Sequence, residues 1–333
     1  MNKLGFLAVG AFALLLLAVY WFSDPMPEPV VVTLQAGPSP PRVPPSEAGM
    51  DSAAIQNAVA YAADRNTRAL VVARNGHVVF EKYWGDTTFE TPVELSGFTP
   101  VLAALSVGSA MNDRLIPGID QSMSNFVPGF ADTPSGKKTL RELLAKDDPE
   151  MDGAWGVNLV VEAVERVTKQ SYDTVVAERL WKLLEAGSFT MERRSAEGPG
   201  AVRGSCCMTA RLGDWVRVGE LIGRHGVYEG NELIPPEFAA QMLKPTSKDS
   251  KHGFFIHAGG EFAAHDLVWL ESDGRQRLWI VPSLALVILR VGDEPSNEKG
   301  WDEAMIPDTI VRAVAVQDVK AGEGADPKLF APH

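Results

Sequence analysis

The sequence predicts an α+β fold in which one antiparallel sheet is flanked by terminal helices and interrupted by an inserted helical subdomain. Short apolar runs bounded by turn residues occur near both ends of the globular region, and only helical patterns lie between them. The chain has 333 residues, of which 45% are hydrophobic, so it has enough apolar side chains to bury a full-sized core.

The overall charge and the cysteine content exclude several classes of protein. A formal net charge of −12 argues against nucleic acid as a partner, because binding a phosphate backbone needs a basic face. The two cysteines, Cys206 and Cys207, are adjacent and too few for a disulfide framework or a four-cysteine zinc site. Because a bond between neighbouring cysteines would be strained, we expect two small buried hydrophobic side chains there.

Residues 1–22 are predicted to be a membrane anchor. Leu4 to Phe22 are nineteen consecutive uncharged residues, nearly enough to cross the hydrocarbon layer as a helix. Lys3 precedes this segment and Asp24 and Glu28 follow it, which places the N-terminus in the cytoplasm. We therefore expect a single-pass protein of the cell inner membrane with its globular domain on the periplasmic, extracytoplasmic side. A cleaved secretory signal is the alternative.

Residues 23–46 contain eight prolines and are predicted to be a semi-rigid linker that holds the next domain away from the membrane. The globular domain is expected to occupy residues 47–318, with its helical insert at about 97–251. The polar tail at residues 319–333 is expected to be loose.

The first elements of the globular domain have the clearest local patterns. Asp51 is predicted to cap a helix that extends to Arg65. The apolar runs Ala69–Ala73 and Val78–Tyr83 are separated by an Asn-Gly pair at positions 75 and 76, which favours a tight hairpin.

The remaining elements divide into a helical middle and a strand-rich end. Helices are predicted at Val101–Met111, Thr139–Ala145, Val157–Thr168, Tyr172–Leu184, Thr209–Arg224 and Pro236–Leu243. Strands are predicted at Gly253–His257, Leu267–Glu271, Arg277–Val281 and Ala285–Val291, followed by a helix at Trp301–Val316.

Metal and cofactor motifs are not found in the sequence. The six histidines lack the spacing of a metal-binding pair, and His252 and His257 are expected to face opposite sides of a strand. Neither a phosphate-binding glycine loop nor a nucleophile elbow is present. We therefore predict no metal ion and no cofactor.

Several stretches between Asp51 and Val316 resemble the superfamily of serine β-lactamases, penicillin-binding proteins and related esterases. The matching stretches are residues 68–83, residues 165–168 with 177–181, residues 208–211 through 226–235, and residues 276–287. The resemblance implies a β-lactamase/transpeptidase-like fold. It also implies three active-site motifs, which are a Ser-x-x-Lys at the start of a helix, a tyrosine motif, and a Lys-Thr-Gly or His-x-Gly on a strand.

All three motifs are degraded at the positions that the resemblance assigns to them. The nucleophile falls at Gly97 and the lysine at Pro100. Sliding the alignment by one residue brings Ser96 and Thr99 to these positions, but a threonine hydroxyl is no general base near neutral pH. Ser96 is then either a surviving nucleophile or a helix cap.

The other two motifs are altered in the same way. Asp152 stands at the tyrosine position, where it is either a catalytic carboxylate or a turn residue. The strand motif falls at Ser272-Asp273-Gly274, which has neither a lysine nor a histidine.

The sequence therefore favours a membrane-anchored, exported domain that has lost the serine–lysine mechanism and acts by binding. Its expected ligand is a peptide, a cell-wall fragment or another envelope protein. One alternative is an active esterase or amidase in which Ser96 is the nucleophile and Asp152, Asp273 or a histidine assists. A second alternative is a structural partner of an active relative.

Overall fold

A central antiparallel sheet organises the protein in a computed structural model that describes residues 27–145, 153–247, 251–296 and 300–314. The strands are β1 Val30–Val32, β2 Thr67–Arg74, β3 His77–Tyr83, β4 Pro92–Glu94, β5 Phe189–Met191, β6 Thr209–Arg211, β7 Val227–Tyr228, β8 Asn231–Glu232, β9 Val268–Ser272, β10 Gln276–Val281 and β11 Leu286–Gly292. The α-helices are α1 Ser52–Ala63, α2 Val101–Asn112, α3 Met123–Phe126, α4 Pro134–Lys137, α5 Leu140–Ala145, α6 Gly153–Thr168, α7 Tyr172–Val176, α8 Leu212–Gly223, α9 Pro236–Met242 and α10 Met305–Arg312. A π-helical turn at Ala177–Trp181 continues α7, and short 3₁₀ turns lie at Pro128–Phe130 and Pro282–Leu284.

The central sheet has five strands in the order β3-β2-β11-β10-β9, and every neighbouring pair is antiparallel. The predicted hairpin is confirmed, since β2 and β3 are joined at Asn75 and Gly76, whose φ angles of 54° and 82° are both positive. Those angles are the ones that a two-residue type I′ turn requires. Pairing of β2 with β11 joins the two ends of the globular domain, as the sequence predicted.

The two faces of this sheet contact different helices. Leu70 and Val72 of β2 pack in one apolar cluster with Ile55 of α1 and Ile310 of α10. Val71 and its neighbours on the same strand face belong to the other cluster, which includes α8 and the helical insert. Because successive side chains of a strand point to opposite faces, the continuous apolar run of β2 serves both clusters. The predicted α+β architecture with a helical insert is therefore confirmed.

The limits of several predicted elements differ in the structure. Asp51 does cap α1, and its carboxylate accepts a hydrogen bond from Ala53 N at 2.8 Å. The run Gly253–His257 is not a strand, because only isolated bridges form there, from His257 to His252 and from His257 to Trp269. The last described helix covers Met305–Arg312 rather than Trp301–Val316.

A second sheet, of order β1-β5-β6-β4, lies in and beside the region predicted to contain only helices. Its strands are each three residues long, and Thr209–Arg211 was predicted as the first turn of a helix. Three residues are too few for a period of two to appear in the sequence. These strands form because partners distant in the chain supply their hydrogen bonds.

The proline-rich segment lies against the domain over the residues that the structure describes, and does not project as a spacer. Val30–Val32 pairs with β5, Gly37 N donates to Glu185 O at 3.0 Å, and Val43 N donates to Val78 O at 3.1 Å. Proline lacks an amide hydrogen but keeps its carbonyl oxygen, so an extended proline-rich chain can still pair with its neighbours. The buried guanidinium of Arg217 donates to Pro38 O in this way.

The predicted anchor, Leu4 to Phe22, and the predicted tail at residues 319–333 lie outside the described residues. Within the part of the chain that the structure describes, no helix combines the length and apolar character needed to cross a membrane. The outer limits of the predicted domain stay predictions.

Candidate functional site

A cleft opens where the segment before α2 meets the end of β9 and the loop that leads into β6. It consists of two adjoining cavities of about 450 and 310 Å³, and Gly97, Ser205 and Glu271 line both. The cleft therefore lies between the central sheet and the helical insert. This is a common place for a ligand site because two rigid elements enclose it.

Ser96 lines the larger cavity, and its hydroxyl donates to Glu94 Oε1 at 2.7 Å. It does not cap α2, because Pro100 occupies the cap position and no side chain caps the helix there. The interpretation of Ser96 as a helix cap is therefore wrong. Its partner is a carboxylate at the end of β4 rather than Asp273 or a histidine.

Gly97 is held against the end of β9. Its amide donates to Ser272 Oγ at 3.2 Å, and a Cβ atom added to it would lie 2.0 Å from the carbonyl oxygen of Glu271. Cβ atoms essentially never come that close to backbone atoms, so no side chain fits unless β9 moves. Close contact between two backbone segments therefore requires a glycine at position 97, which the resemblance assigns to the nucleophile.

Neither Thr99 nor Pro100 has a side chain that can act as the general base for a serine nucleophile. The buried Thr99 hydroxyl donates to Leu95 O at 3.4 Å and accepts a hydrogen bond from Met208 N at 3.2 Å. Pro100 lines the smaller cavity and offers neither an amine nor an amide hydrogen. Thr99 therefore positions the loop before β6.

The strand motif and the nucleophile motif meet in the cleft, as the resemblance implies. Ser272, Asp273 and Gly274 line the same cavity as Ser96 and Gly97. The third predicted position, Asp152, lies outside the described residues, just before α6.

The two arginines that line the larger cavity, Arg275 and Arg277, both have carboxylate partners. Arg277 is buried, pairs with Glu303, and lies 3.5 Å from Glu271 Oε2. Arg275 is exposed and contacts Glu294 at 3.0 Å. Each of these arginines therefore has its positive charge balanced by a neighbouring carboxylate.

The cysteines at the cleft were predicted incorrectly. Cys206 and Cys207 form a disulfide bond with each other, and both side chains are half-buried rather than enclosed in the core. Cys207 has a φ of 72°, in the left-handed region that few residues other than glycine adopt. The tertiary contacts of the loop hold this conformation, and adjacency was the only signal in the sequence.

A row of rings in contact beside the smaller cavity was also missed. The ring centroids of His252 and His257 are 4.5 Å apart, and His257 stacks on Trp269 at 5.0 Å. Phe262 adds an edge contact to Trp269 at 5.3 Å. The two histidines therefore contact each other, and the expectation that they face opposite sides was wrong because no continuous strand joins them.

Glu165, in one of the stretches that carry the resemblance, has a structural role. Its carboxylate accepts hydrogen bonds from Tyr172 N at 2.8 Å and from Gly200 N. Burial raises the pKa of this carboxyl above its ordinary value, against the opposing effect of the two amides. Glu165 thus ties the loop at residue 200 to the start of α7.

An antiparallel sheet with a helical insert, and a cleft where a buried helix begins beside the edge strand, define the fold of serine β-lactamases and penicillin-binding proteins. No protein-family model matches this chain, and no curated protein matches it. Solved structures do match it over most of its length. A protein from Bacillus anthracis named as a 6-aminohexanoate-dimer hydrolase is 15% identical with a TM-score of 0.65, covering 82% of this chain and 87% of its own.

Two further structures agree with that assignment of fold. A protein from Bacteroides dorei named as a β-lactamase is 15% identical with a TM-score of 0.65, covering 80% of this chain and 99% of its own. A penicillin-binding-protein homologue from Caulobacter crescentus is 14% identical with a TM-score of 0.58, covering 81% of this chain and 96% of its own. At these identities the similarity establishes the fold, which is the one that the sequence resemblance implied.

Proposed function

We propose that this chain is an exported, membrane-anchored member of the β-lactamase fold that binds a polar envelope ligand in its cleft and has no serine–lysine mechanism. The observation that carries the proposal is the position of Gly97. A nucleophile there needs a side chain, and the carbonyl oxygen of Glu271 lies 2.0 Å from where its Cβ would be. The packing of the backbone therefore excludes a nucleophilic side chain at position 97. Replacing the glycine alone would not restore one.

The residue at position 100 also supports the absence of a serine–lysine mechanism. Pro100 stands where the family has its lysine, so no amine is available there to take a proton. Because members of a catalytic unit act together, loss of both removes most of the rate acceleration.

The composition of the cleft supports a polar ligand. The hydroxyls of Ser96, Ser205 and Ser272 line the larger cavity together with Asp273 and Arg275. Hydroxyl, carboxylate and guanidinium groups recognise amides, sugars and carboxylates. A peptide or glycan fragment of the cell wall has all of these groups.

Export and anchoring complete the proposal. The uncharged stretch from Leu4 to Phe22, with Lys3 before it, supports insertion with the domain outside the cytoplasm. The disulfide between Cys206 and Cys207 also supports an oxidising compartment, because such bonds are rare in the cytosol.

The catalytic half of the proposal is tested on the full-length protein in detergent. We expect neither labelling by a fluorophosphonate or a fluorescent penicillin nor hydrolysis of a short-chain aryl ester above background. Ser96→Ala should behave as wild type. If wild type hydrolyses the ester and Ser96→Ala does not, the proposal is overturned.

The binding half is tested by titrating a disaccharide-tetrapeptide into the same preparation and following its resonances by NMR. Ser205→Phe should weaken binding because it fills both cavities. Ser52→Phe is the matched control, since it adds the same ring on α1, across the sheet from the insert. Equal binding by the two variants would place the ligand elsewhere, and absence of binding by wild type would favour a structural partner of an active relative.

One observation favours an active enzyme as a second candidate. The 2.7 Å hydrogen bond from Ser96 Oγ to Glu94 Oε1 pairs a hydroxyl in the cleft with a carboxylate that could accept its proton. Under this alternative, Glu94→Gln and Ser96→Ala would each abolish ester hydrolysis.

A further inference from the structure

The disulfide at the cleft has an acidic neighbour that contributes nothing to the proposed ligand site. Cys206 lines the larger cavity, and the half-buried Glu192 follows directly after β5 and is not among the residues that line this cavity. One carboxylate oxygen and the two sulfur atoms all lie within 4.8 Å of one another. Among the residues that the structure describes, this is the one group of three such ligand atoms at that spacing.

The loop that contains the cysteines is fixed on both sides. Gly204 N donates to Asn158 Oδ1 at 3.1 Å, and Met208 N donates to Thr99 Oγ1 at 3.2 Å. Because these contacts involve neither sulfur atom, we expect them to be kept when the disulfide is reduced. The two sulfurs would then stay on one short, anchored segment.

Arg203 holds the acidic ligand beside the sulfurs. Its guanidinium lies 3.5 Å from Glu192 Oε2 and 3.8 Å from Cys206 Sγ. A cation at this place keeps the carboxylate near the cysteines and favours a thiolate over a neutral thiol once the disulfide is open.

The chemistry of the three ligands depends on the redox state. In the disulfide, each sulfur shares its electrons with the other and has no thiolate character. A dithiol reductant delivers two electrons, the bond between Cys206 and Cys207 breaks, and the reductant closes its own disulfide. The two thiols then lose their protons to solvent when a soft cation binds. Two thiolates and one carboxylate are ligands that Zn²⁺ and Cd²⁺ accept in a tetrahedral site, with a fourth position left for water.

We propose that Cys206, Cys207 and Glu192 form a redox-gated site for a soft divalent cation at the rim of the cleft, closed as the disulfide and open as the dithiol. Because Cys206 also lines the larger cavity, the redox state of the pair alters one wall of the cleft. Cation binding by these three residues does not require that the cleft bind any particular ligand.

The test titrates Cd²⁺ into full-length protein in detergent, once as isolated and once after reduction by a phosphine and its removal. We expect one Cd²⁺ per reduced chain, measured by the ultraviolet thiolate-to-cadmium absorption band, and none in the oxidised protein. Cys206→Ser and Cys207→Ser should each lose the band, and Glu192→Gln should weaken affinity by about tenfold or more. Glu178→Gln is the matched control, since Glu178 is an exposed carboxylate paired with Lys182.

Three results would overturn the inference. Equal Cd²⁺ binding by oxidised and reduced protein would show that the disulfide is not a gate. Unchanged affinity in Glu192→Gln would remove the third ligand. Two free thiols by mass spectrometry in the protein as isolated, without added reductant, would remove the closed state.

Discussion

The central sheet and the cleft beside it differ in what constrains their residues. In the sheet, β2, β10 and β11 keep apolar side chains buried on both faces, and Leu70, Trp279 and Ile288 are all fully buried. In the cleft, the positions that the family uses for chemistry hold Gly97 and Pro100. The sheet is therefore stabilised by the burial of apolar side chains, whereas Gly97 is constrained by close backbone contact with β9.

The largest change in stability is expected from a substitution in the core of the central sheet. Trp279→Ala should lower the free energy of unfolding by about 3–5 kcal/mol, because it removes a fully buried indole between the sheet and α1 and α10. Urea unfolding followed by circular dichroism measures the change. A loss below about 1 kcal/mol would mean that this layer of the core does not stabilise the fold.

The next effect is expected where the cleft touches the sheet. Gly97→Ala should cost about 1–3 kcal/mol, because its Cβ would press on the carbonyl of Glu271 at the end of β9. Gly118→Ala is the control, since nothing lies within 4 Å of a Cβ added there. Because the serine Cβ would meet the same carbonyl of Glu271, the pair Gly97→Ser with Pro100→Lys should fail to restore a reactive serine. Equal stability of the two alanine variants would contradict the close contact.

The next prediction concerns how the stability of the sheet side depends on pH, through the buried Glu220 of α8. Burial raises the pKa of the Glu220 carboxyl above its ordinary 4.5, although nearby arginines oppose the shift. The folded state therefore keeps this proton to a higher pH than the unfolded chain, so its contribution to stability is lost as the pH rises above about 4.5. Glu220→Gln should match wild type near pH 4 and become relatively more stable towards pH 7, as measured by urea unfolding at each pH. A constant difference across this range would contradict the raised pKa.

The smallest effect is expected at the hydroxyl that survives in the cleft. Ser96→Ala removes one hydrogen bond to the exposed Glu94 and should change the free energy of unfolding by less than about 0.5 kcal/mol. Thermal unfolding of the two proteins in parallel is sufficient to detect a larger change. A loss above about 1 kcal/mol would show that Ser96 stabilises the fold.

Elements whose signals are local were predictable from the sequence. Asn75 and Gly76 predicted a hairpin because few residue pairs adopt two consecutive positive φ angles. Asp51 predicted the start of α1 because its carboxylate satisfies a free amide of the first turn. The resemblance also brought Ser96, Gly97, Ser272 and Asp273 to one site, since a shared fold places equivalent positions together.

Elements that depend on distant partners were not predictable. The sheet of β1, β5, β6 and β4 joins strands of three residues from four parts of the chain. The proline-rich segment lies on the domain through hydrogen bonds to Glu185 and Val78, which its own composition does not reveal. The disulfide at residues 206 and 207 required a left-handed residue that only the surrounding loop could hold.

By itself the sequence determined the hairpin at Asn75 and Gly76 and the start of α1, because these follow from residues next to one another. Through the resemblance it also determined that positions 97 and 100 hold neither a serine nor a lysine. Only the tertiary structure decided that Gly97 cannot carry a side chain, that Ser96 pairs with Glu94, and that Glu192 lies beside the two cysteines. The physical reason is that Gly97 and Glu271, and likewise Glu192 and the cysteines, lie in different segments of the chain that meet only in the folded structure. The bond between Ser96 and Glu94 depends on the path of the backbone between them, which the surrounding fold sets.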